Sequence, residues 1–254
     1  MTPPNDNSIR DAILLKENGF AGVDATNPKS PSGHAYGIRT STRLTSNYRQ
    51  THRRTAVDVT PQEVMDCIEA AGVSHWVLMG LHGYAGYMPM PRATQDVDIM
   101  LPYSQKKKAT KAIAARWPML QILELSHVVR FMDPNDLDAD GMPMPVIDLM
   151  LPWSEFQKTI LLHHVLVDPA SGNRIPTLVA AIVSKYAAFV SPYRDADKRD
   201  YDSGDMRRIM KANESQIDRE VLSSLANQVW DGGGKEIKQF LELALKDQPF
   251  PNSR

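Results

Sequence analysis

Residues 92–100 have the sequence Arg-Ala-Thr-Gln-Asp-Val-Asp-Ile-Met, and the glycine-rich segment Gly-Leu-His-Gly-Tyr-Ala precedes them at residues 80–85. Side chains along a β-strand alternate between the two faces of the sheet, so Asp96 and Asp98 share one face. Two carboxylates a few ångströms apart repel each other unless a cation lies between them. The pair is therefore a candidate site for Mg²⁺ or Mn²⁺, which prefer oxygen ligands, although a solvated strand end is the more common reason for such a pattern.

Two further features strengthen this candidate site. Gly80 follows a short apolar strand and allows a helix to begin close to the sheet, where free N–H groups could hold a phosphate. Asp148 lies in the apolar segment 146–150, where an unpaired carboxylate would be costly to bury. We expect Asp148 to converge with Asp96 and Asp98 on a two-metal site for phosphoryl or nucleotidyl transfer. The alternative is an ion pair between Asp148 and a lysine or arginine, which would count against an enzyme.

Helix and strand patterns alternate around these motifs. Residues 60–63, Thr-Pro-Gln-Glu, form a capping box that predicts a helix start, and Gly72 is typical of a helix end. A lysine-rich helix is predicted from Ser104 to about Arg116, and Ser154 is a candidate cap for another. Such alternation indicates an α/β architecture. The predicted strands, of which the third and fourth form a long hairpin, are 75–79, 96–101, 126–132, 145–151 and 166–167.

The last third of the chain has mainly helical patterns. We therefore predict an α/β domain over residues 56–172 and a helical carboxy-terminal subdomain over residues 173–254. Proline and a run of glycines separate the helices of this subdomain. Its predicted helices are 177–190, about 203–212, 215–230 and 235–245.

Residues 1–55 are predicted to form a basic, partly flexible amino-terminal arm with a short helix near residues 9–18. No acidic residue lies between Asp24 and Asp58, and this stretch carries six lysines and arginines, two tyrosines and two histidines. Basic groups interleaved with aromatic rings could bind RNA. A solvated linker, or a strap across the main domain, is the more common reason for such a composition, so these alternatives stay open.

The overall composition excludes several classes of protein. The chain has 29 basic and 30 acidic residues and a net charge of −1, which argues against a nucleic-acid binder held by charge alone. Its single cysteine, Cys67, cannot form an internal disulfide, which suits a reducing compartment. No apolar run approaches the roughly 18 residues of a membrane span, and the amino terminus lacks the features of a secretory signal. We therefore expect a cytoplasmic protein that does not associate with membranes.

The order of these motifs resembles a known superfamily. A strand, Gly-x-x-x-x-Ala, Arg-x-Thr-x-Asp-x-Asp and an Ile-Asp-Leu strand look like the nucleotidyltransferases related to DNA polymerase beta, and most like the AbiEii-like toxin nucleotidyltransferases and their minimal relatives. The apolar segment 178–188, which contains Lys185, and the segment 202–209, Asp-Ser-Gly-Asp-Met-Arg-Arg-Ile, are similar to two later motifs of that family. The resemblance covers about residues 75–210 and implies a mixed sheet flanked by helices.

The resemblance implies roles for particular residues. Asp148 would be the third carboxylate of the metal site and would accept the proton of the attacking hydroxyl. Lys185 would contact the triphosphate, and Asp202 or Asp205 would orient it or assist the acceptor. The metal ligands, which are also catalytic, would be Asp96, Asp98 and Asp148. The turn and the segment before the first aspartate would complete the nucleotide site with Gly80, Leu81, Arg92 and Thr94.

The implied activity is the transfer of a nucleoside monophosphate from a nucleoside triphosphate to an acceptor hydroxyl, with Mg²⁺ or Mn²⁺ as cofactor. The resemblance also suggests an RNA 3′ end, such as that of a tRNA, as acceptor, and a toxin of a toxin–antitoxin or phage-defence system that an antitoxin protein restrains. Leu81 departs from the family pattern, which usually has a second glycine or a serine at this point of the turn.

Two other functions stay open at this stage. A non-catalytic relative could keep the fold as a nucleotide sensor or interaction module, and Leu81 is the best support for it. A glycosyltransferase could use the Asp-x-Asp pair to hold Mn²⁺ and a nucleotide sugar. That class does not require the Gly80 turn or a third aspartate on a strand.

Overall fold

The computed structural model of the chain describes residues 27–53, 55–90 and 92–251. Its centre is a five-stranded sheet with the order β1-β2-β5-β4-β3, and a separate pair, β6 and β7, forms a small antiparallel hairpin. Within the central sheet only β2 and β5 run parallel, so the sheet is mixed. The strands are β1 (Val77–Leu78), β2 (Val97–Met100), β3 (Gln121–Glu124), β4 (Val128–Leu137), β5 (Pro143–Met150), β6 (Val165–Val167) and β7 (Arg174–Pro176).

Helices cover both faces of the central sheet. Val97 and Ile99 point to one face, where an apolar core forms with the helix that precedes β1, Pro61–Ala70, and the helix that follows β2, Lys106–Arg116. The other face carries Asp98 and Met100, and the second apolar core lies there against the carboxy-terminal helices. The described helices are α1 (Pro31–His52), α2 (Pro61–Ala70), α3 (Gly80–Tyr84), α4 (Lys106–Arg116), α5 (Glu155–His163), α6 (Leu178–Val190), α7 (Ala196–Ala212), α8 (Arg219–Asn227) and α9 (Gly233–Leu245).

Local sequence explains where several of these helices begin. Thr60 and Glu63 form the predicted capping box at the start of α2, and each side chain bonds the backbone N–H of the other. Asp218 accepts two backbone N–H bonds at the start of α8, and Thr177 caps α6 in the same way with one. The α6 helix is apolar around most of its surface and is buried by its neighbours, which makes it the central helix of the carboxy-terminal half.

The predicted fold class, an α/β protein with a mixed sheet flanked by helices and a helical carboxy-terminal part, is confirmed. The predicted hairpin is β4 and β5, and the predicted edge strand at 166–167 belongs to the small hairpin β6–β7 rather than to the main sheet. The short strands β3 and β7 were not predicted from the sequence. The division into three domains stays a prediction.

Part of the predicted basic arm is a helix that the sequence analysis did not identify. Residues 31–52 form α1, which packs on the segment around Gly80–Tyr87 and buries Tyr36 and Ile38. Its buried face also contains polar residues, so the apolar period that marks an amphipathic helix is missing. The short helix predicted near residues 9–18 lies outside the described residues. Among the residues that the structure describes, no helix combines the length and apolarity needed to cross a membrane.

Candidate functional site

Three aspartates meet on one face of the central sheet. Asp98 on β2 and Asp148 on β5 are cross-strand partners, and Asp96 lies on the same face just before β2 begins. One carboxylate oxygen from each of the three lies within 4.8 Å of the others. The structure therefore brings together the predicted metal ligands, and three carboxylate oxygens are a ligand set that suits a hard divalent cation.

Burial and the neighbouring negative charges raise the pKa of two of the three carboxylates. Burial raises the pKa of Asp98 well above its ordinary value of 3.8, and the charges of Asp96 and Asp148 raise it further. Burial also raises the pKa of Asp96, and the charge of Asp148 raises it further. A raised pKa means that the folded chain disfavours the charged forms of both groups. The clustered negative charges thus cost stability unless a cation compensates them.

Arg130 supplies part of that compensation. It lies opposite Asp148 on β4, and its Nε and Nη2 atoms donate to the two oxygens of Asp148 at 2.8 and 2.6 Å. The hydrogen bond to Asp148 raises the pKa of the Arg130 guanidinium. Arg130 is therefore the guanidinium partner that the alternative interpretation of Asp148 left unnamed. Asp148 takes part in both arrangements that the sequence left open, the aspartate triad and an ion pair.

The Gly80 turn lies against the triad. Gly80 has φ +59°, and a Cβ at this position would lie 2.0 Å from Oδ2 of Asp98, so only glycine fits here without displacing the carboxylate. The N–H of Met79 donates to the carbonyl oxygen of Asp98 at 2.8 Å and fixes the turn on β2. The side chain of Leu81 is buried in the apolar core, so only its backbone faces the turn. The departure at Leu81 therefore does not place a bulky side chain over the site.

A buried cationic cluster lies beside the triad. The ammonium of Lys185 donates to Asp202 and to Asp205, at 2.9 Å in each case, and all three side chains are buried. Burial raises the pKa of Asp205, but the charges and hydrogen bonds of Lys185 and Arg92 outweigh it, so the net pKa is lower than usual. Arginines at the surface of the cluster complete it, namely Arg92 and Arg208 on Asp205 and Arg194 on Asp202.

Tyr84 lies close to both the triad and this cluster. The Lys185 ammonium is 5.9 Å from the centre of the Tyr84 ring, and the charge of Lys185 in turn acts on Asp98. Burial raises the pKa of Tyr84, and the charges of Asp98 and Asp202 raise it further. The four cations of the cluster outnumber its two carboxylates by two. The triad, with Arg130 included, has an excess of two negative charges, so the two regions have opposite charge.

The segment before β2 links the two regions. Arg92 donates from Nη2 to Asp205 at 2.9 Å and lies 5.1 Å from the centre of the Tyr201 ring. Thr94 donates from its hydroxyl to Oδ1 of Asp96 at 3.3 Å. The structure thus places the predicted residues Arg92 and Thr94 beside the cationic cluster and the triad, respectively.

A polar stripe on α1, which was not predicted from the sequence, contacts both the segment before β2 and the Gly80 turn. The stripe consists of Ser41, Thr45 and Arg49, which are spaced four residues apart on one helix face and are all buried. Thr45 accepts the N–H of Thr94 at 3.2 Å, and Arg49 donates to the carbonyl oxygens of Val59 and Gln95. Arg49 therefore holds the residue directly before Asp96.

The remaining member of the stripe, Ser41, contacts the glycine turn. Ser41 shares a 2.7 Å hydrogen bond with Nδ1 of His82, which is buried two residues after Gly80. Burial, together with the smaller effect of the positive charge of Arg49, lowers the pKa of His82 to about 3. His82 is therefore neutral at physiological pH and serves as a hydrogen-bonding anchor. The four-residue spacing of polar residues was the only sequence signal for this stripe.

Comparisons with known proteins give weak similarities. No protein-family model matches the sequence, and no curated protein matches it. The chain is similar to the structure of an antigenic nucleotidyltransferase-like protein from Paracoccidioides brasiliensis, with 15% identity, a TM-score of 0.41, and coverage of 74% of this chain and 92% of that chain. It is also similar to terminal uridylyl transferase 4 from Trypanosoma brucei with bound GTP, with 15% identity, a TM-score of 0.30, and coverage of 87% and 74%. Similarities this low do not assign a function to the chain.

Replacing Asp98 by Asn should stabilise the metal-free protein. Because the folded chain raises the pKa of Asp98, the charged form of this group opposes folding above that pKa. The increase in the free energy of unfolding that Asn provides should therefore shrink as the pH falls through the folded-state pKa. The melting temperature at pH 7 in a chelator should rise, by about 2–4 °C for each kcal/mol of repulsion removed. Asp205→Asn is the matched control with the opposite sign, because the folded chain lowers the pKa of Asp205 and its charge favours folding. A loss of stability in Asp98→Asn would contradict the electrostatic description of the triad.

Replacing Arg49 by Met should loosen the segment before Asp96. The change leaves a buried carbonyl oxygen, that of Val59, and a partly buried one, that of Gln95, without this donor, and the buried one alone costs about 1–3 kcal/mol. Hydrogen exchange at residues 92–96 should become faster, and mass spectrometry can measure it. The control is Arg53→Met, which removes the arginine that directly follows the same helix and pairs with Asp136. This variant should leave the exchange at residues 92–96 unchanged. Equal exchange in wild type and Arg49→Met would show that the stripe does not hold the segment.

Proposed function

We propose that this protein is a metal-dependent nucleotidyltransferase that moves a nucleoside monophosphate from a nucleoside triphosphate to an acceptor hydroxyl. The convergence of Asp96, Asp98 and Asp148, next to a cationic cluster, is the observation that carries this proposal. A metal-bound triphosphate has the same division of charge, because the cation needs carboxylates and the phosphates need cations. The site offers both within one continuous region.

The metal site would consist of the three aspartates. Their oxygens fit Mg²⁺ or Mn²⁺ by ligand type, and the raised pKa values of Asp96 and Asp98 are typical of carboxylates that lack a compensating cation. When bound, the metal would stabilise the charge that develops on the transferred phosphoryl group. Arg49 and Thr45 would position this site indirectly, through the segment before Asp96.

The cationic cluster would bind the phosphates. Asp202 and Asp205 fix the ammonium of Lys185 in place, and the surplus of positive charge leaves this group able to interact with an anion. Arg92 would add a planar guanidinium at the surface of the cluster. Gly80 would let the phosphates approach the backbone, and Leu81 would contribute its N–H rather than its side chain.

Asp148 has the role that most needs a test. An arginine partner is typical of a structural carboxylate, and Arg130 therefore favours the second candidate function, a non-catalytic nucleotide-binding or interaction module. A carboxylate has about four lone-pair sites, however, and Arg130 uses only part of them. Asp148 could therefore keep Arg130 while it binds a metal or accepts the proton of the acceptor hydroxyl. A glycosyltransferase would leave the position of Asp148 in the triad unexplained.

The acceptor and the biological role rest on the sequence resemblance. We propose an RNA 3′ end, such as that of a tRNA, as the acceptor. The same resemblance favours a toxin that an antitoxin protein restrains, and the single cysteine favours a cytoplasmic location. These two proposals are separate, because an RNA-modifying enzyme need not be a toxin.

Incubation with each α-labelled nucleoside triphosphate, Mg²⁺ and total RNA should transfer label to an RNA band. Asp96→Ala should reduce this transfer by about 10³-fold or more, because the metal would lose a ligand and its charge stabilisation. Asp140→Ala is the matched control, since Asp140 is an exposed aspartate in the β4–β5 turn, and it should keep full activity. Near-full activity in Asp96→Ala would refute the assignment. Triphosphate binding in wild type without any labelled product would identify the non-catalytic module.

A pair of variants should separate the two roles of Asp148. Asp148→Asn and Arg130→Met each break the same ion pair. If Asp148 only neutralises Arg130, both variants should lose activity to a similar extent. We expect Asp148→Asn to lose at least about tenfold more transfer than Arg130→Met, because it also removes the proton acceptor and a metal ligand. Equal losses, or full turnover in Asp148→Asn, would contradict a catalytic role for this carboxylate.

A further inference from the structure

An exposed aromatic platform lies at the carboxyl ends of the two strands that carry the aspartates. The platform consists of Tyr103, His127 and Trp153. The Trp153 and His127 rings stack with centroids 5.5 Å apart, and the Tyr103 hydroxyl forms a 2.7 Å hydrogen bond with Nδ1 of His127. Trp153 is 60% exposed and Tyr103 is 48% exposed. Large aromatic side chains held in fixed positions with open faces are typical of binding surfaces.

The sheet fixes where this platform lies relative to the triad. Tyr103 follows Asp98 by five residues, and Trp153 follows Asp148 by the same number. Because β2 and β5 are parallel and pair at these aspartates, both aromatic residues leave the sheet at the same end. Five extended residues span at most about 17 Å. At the 3.4 Å rise of stacked nucleotides, about five nucleotides would cover that distance.

A lysine-rich segment adjoins the platform. Helix α4 begins three residues after Tyr103, its first three residues are lysines, and it contains no acidic residue. Lys106 pairs with Glu124, whereas Lys107 and Lys111 are exposed. Lysines in the first turn oppose the helix dipole, so local stability does not account for them. Binding of an anionic partner would account for these lysines.

Exposed apolar side chains connect the platform with the triad. Arg130 and Leu123 are cross-strand partners, so they continue the row of Asp98 and Asp148 across the same sheet face. Leu125, two residues further along, is hydrogen-bonded to Val128 next to His127. Leu123 and Leu125 are both exposed, so an open sheet edge leads from Arg130 to the platform.

We propose that the platform and the adjoining lysines bind single-stranded nucleic acid. Aromatic faces accept unpaired bases, and lysines at the side of the platform neutralise the backbone phosphates. An acidic protein segment would match the lysines but would leave the open Trp153 face without a suitable partner. That the bound strand is the acceptor of the triad rests on the proposed function, whereas the binding itself does not.

Binding can be measured without catalysis, using a labelled oligouridylate, a chelator and no nucleoside triphosphate. Fluorescence anisotropy should give an affinity that Trp153→Ala weakens by about tenfold, the effect expected for one lost base stack. Replacing both Lys107 and Lys111 by Glu should also weaken binding. It should make the fall of log affinity with log salt shallower by at least about 1.4, since two phosphate contacts are lost. Replacing Lys235 and Lys246 by Glu, at two exposed sites of the carboxy-terminal helical region, is the matched control and should leave this slope unchanged.

Tryptophan fluorescence offers a second readout that charge alone would not change. Trp153 is the most exposed tryptophan of the described residues, so the oligonucleotide should quench mainly this side chain. Trp153→Phe should keep most of the affinity, because it keeps an aromatic face, but should lose the quenching. Unchanged affinity in Trp153→Ala would overturn the proposal. Equal competition by polyglutamate would overturn it as well and would indicate an acidic protein partner.

Failure of this inference can be distinguished from failure of the proposed function. Asp96→Ala should bind the oligouridylate as wild type does, because the triad is not needed for stacking or phosphate contacts. Platform binding in a protein that transfers no nucleotide would refute the proposed function and support this inference. If wild type transfers nucleotide and the platform variants change neither transfer nor binding, this inference is refuted and the proposed function is supported.

Discussion

The parallel pairing of β2 with β5 is the constraint on which the candidate site depends. The register places Asp98 directly beside Asp148, and the start of β2 adds Asp96 to the same face. On the opposite face, the apolar neighbours of these residues are buried in the core between the sheet and helices α2 and α4. The burial of that face holds the strands together despite the repulsion between the carboxylates. A sheet built only for stability would not place three carboxylates in this position.

The remainder of the site compensates this concentration of negative charge in two ways. Arg130 neutralises one carboxylate from the neighbouring strand, and the cluster around Lys185, next to Tyr84, provides an excess of positive charge. Helix α1 fixes the segment that leads into the triad, through Arg49 and Thr45, and the charge of Arg49 also interacts with that of Asp96. The arrangement is thus polarised, with an anionic end at the triad and a cationic end at the cluster around Lys185.

Sequence reasoning reached the fold class and the three aspartates because each has a local signal. The Asp-x-Asp pair has strand periodicity, Asp148 interrupts an apolar run, and Gly80 follows a buried strand. Arg130 has no such signal, because only the register between β4 and β5 shows that it lies opposite Asp148. The sequence suggested an ion pair as an alternative but could not name the partner. Helix α1 was missed because its buried face is polar, so its stability comes from contacts with distant segments rather than from its own periodicity.

The central claim is that the three aspartates form a divalent-cation site. Titration of the purified protein with Mn²⁺, followed by electron paramagnetic resonance of the free ion, measures this directly and needs neither substrate nor acceptor. We expect wild type to bind Mn²⁺ and Asp98→Asn to bind it at least about tenfold more weakly, because one charged ligand is lost. Binding of equal strength in both proteins, or no binding in wild type, would contradict the claim.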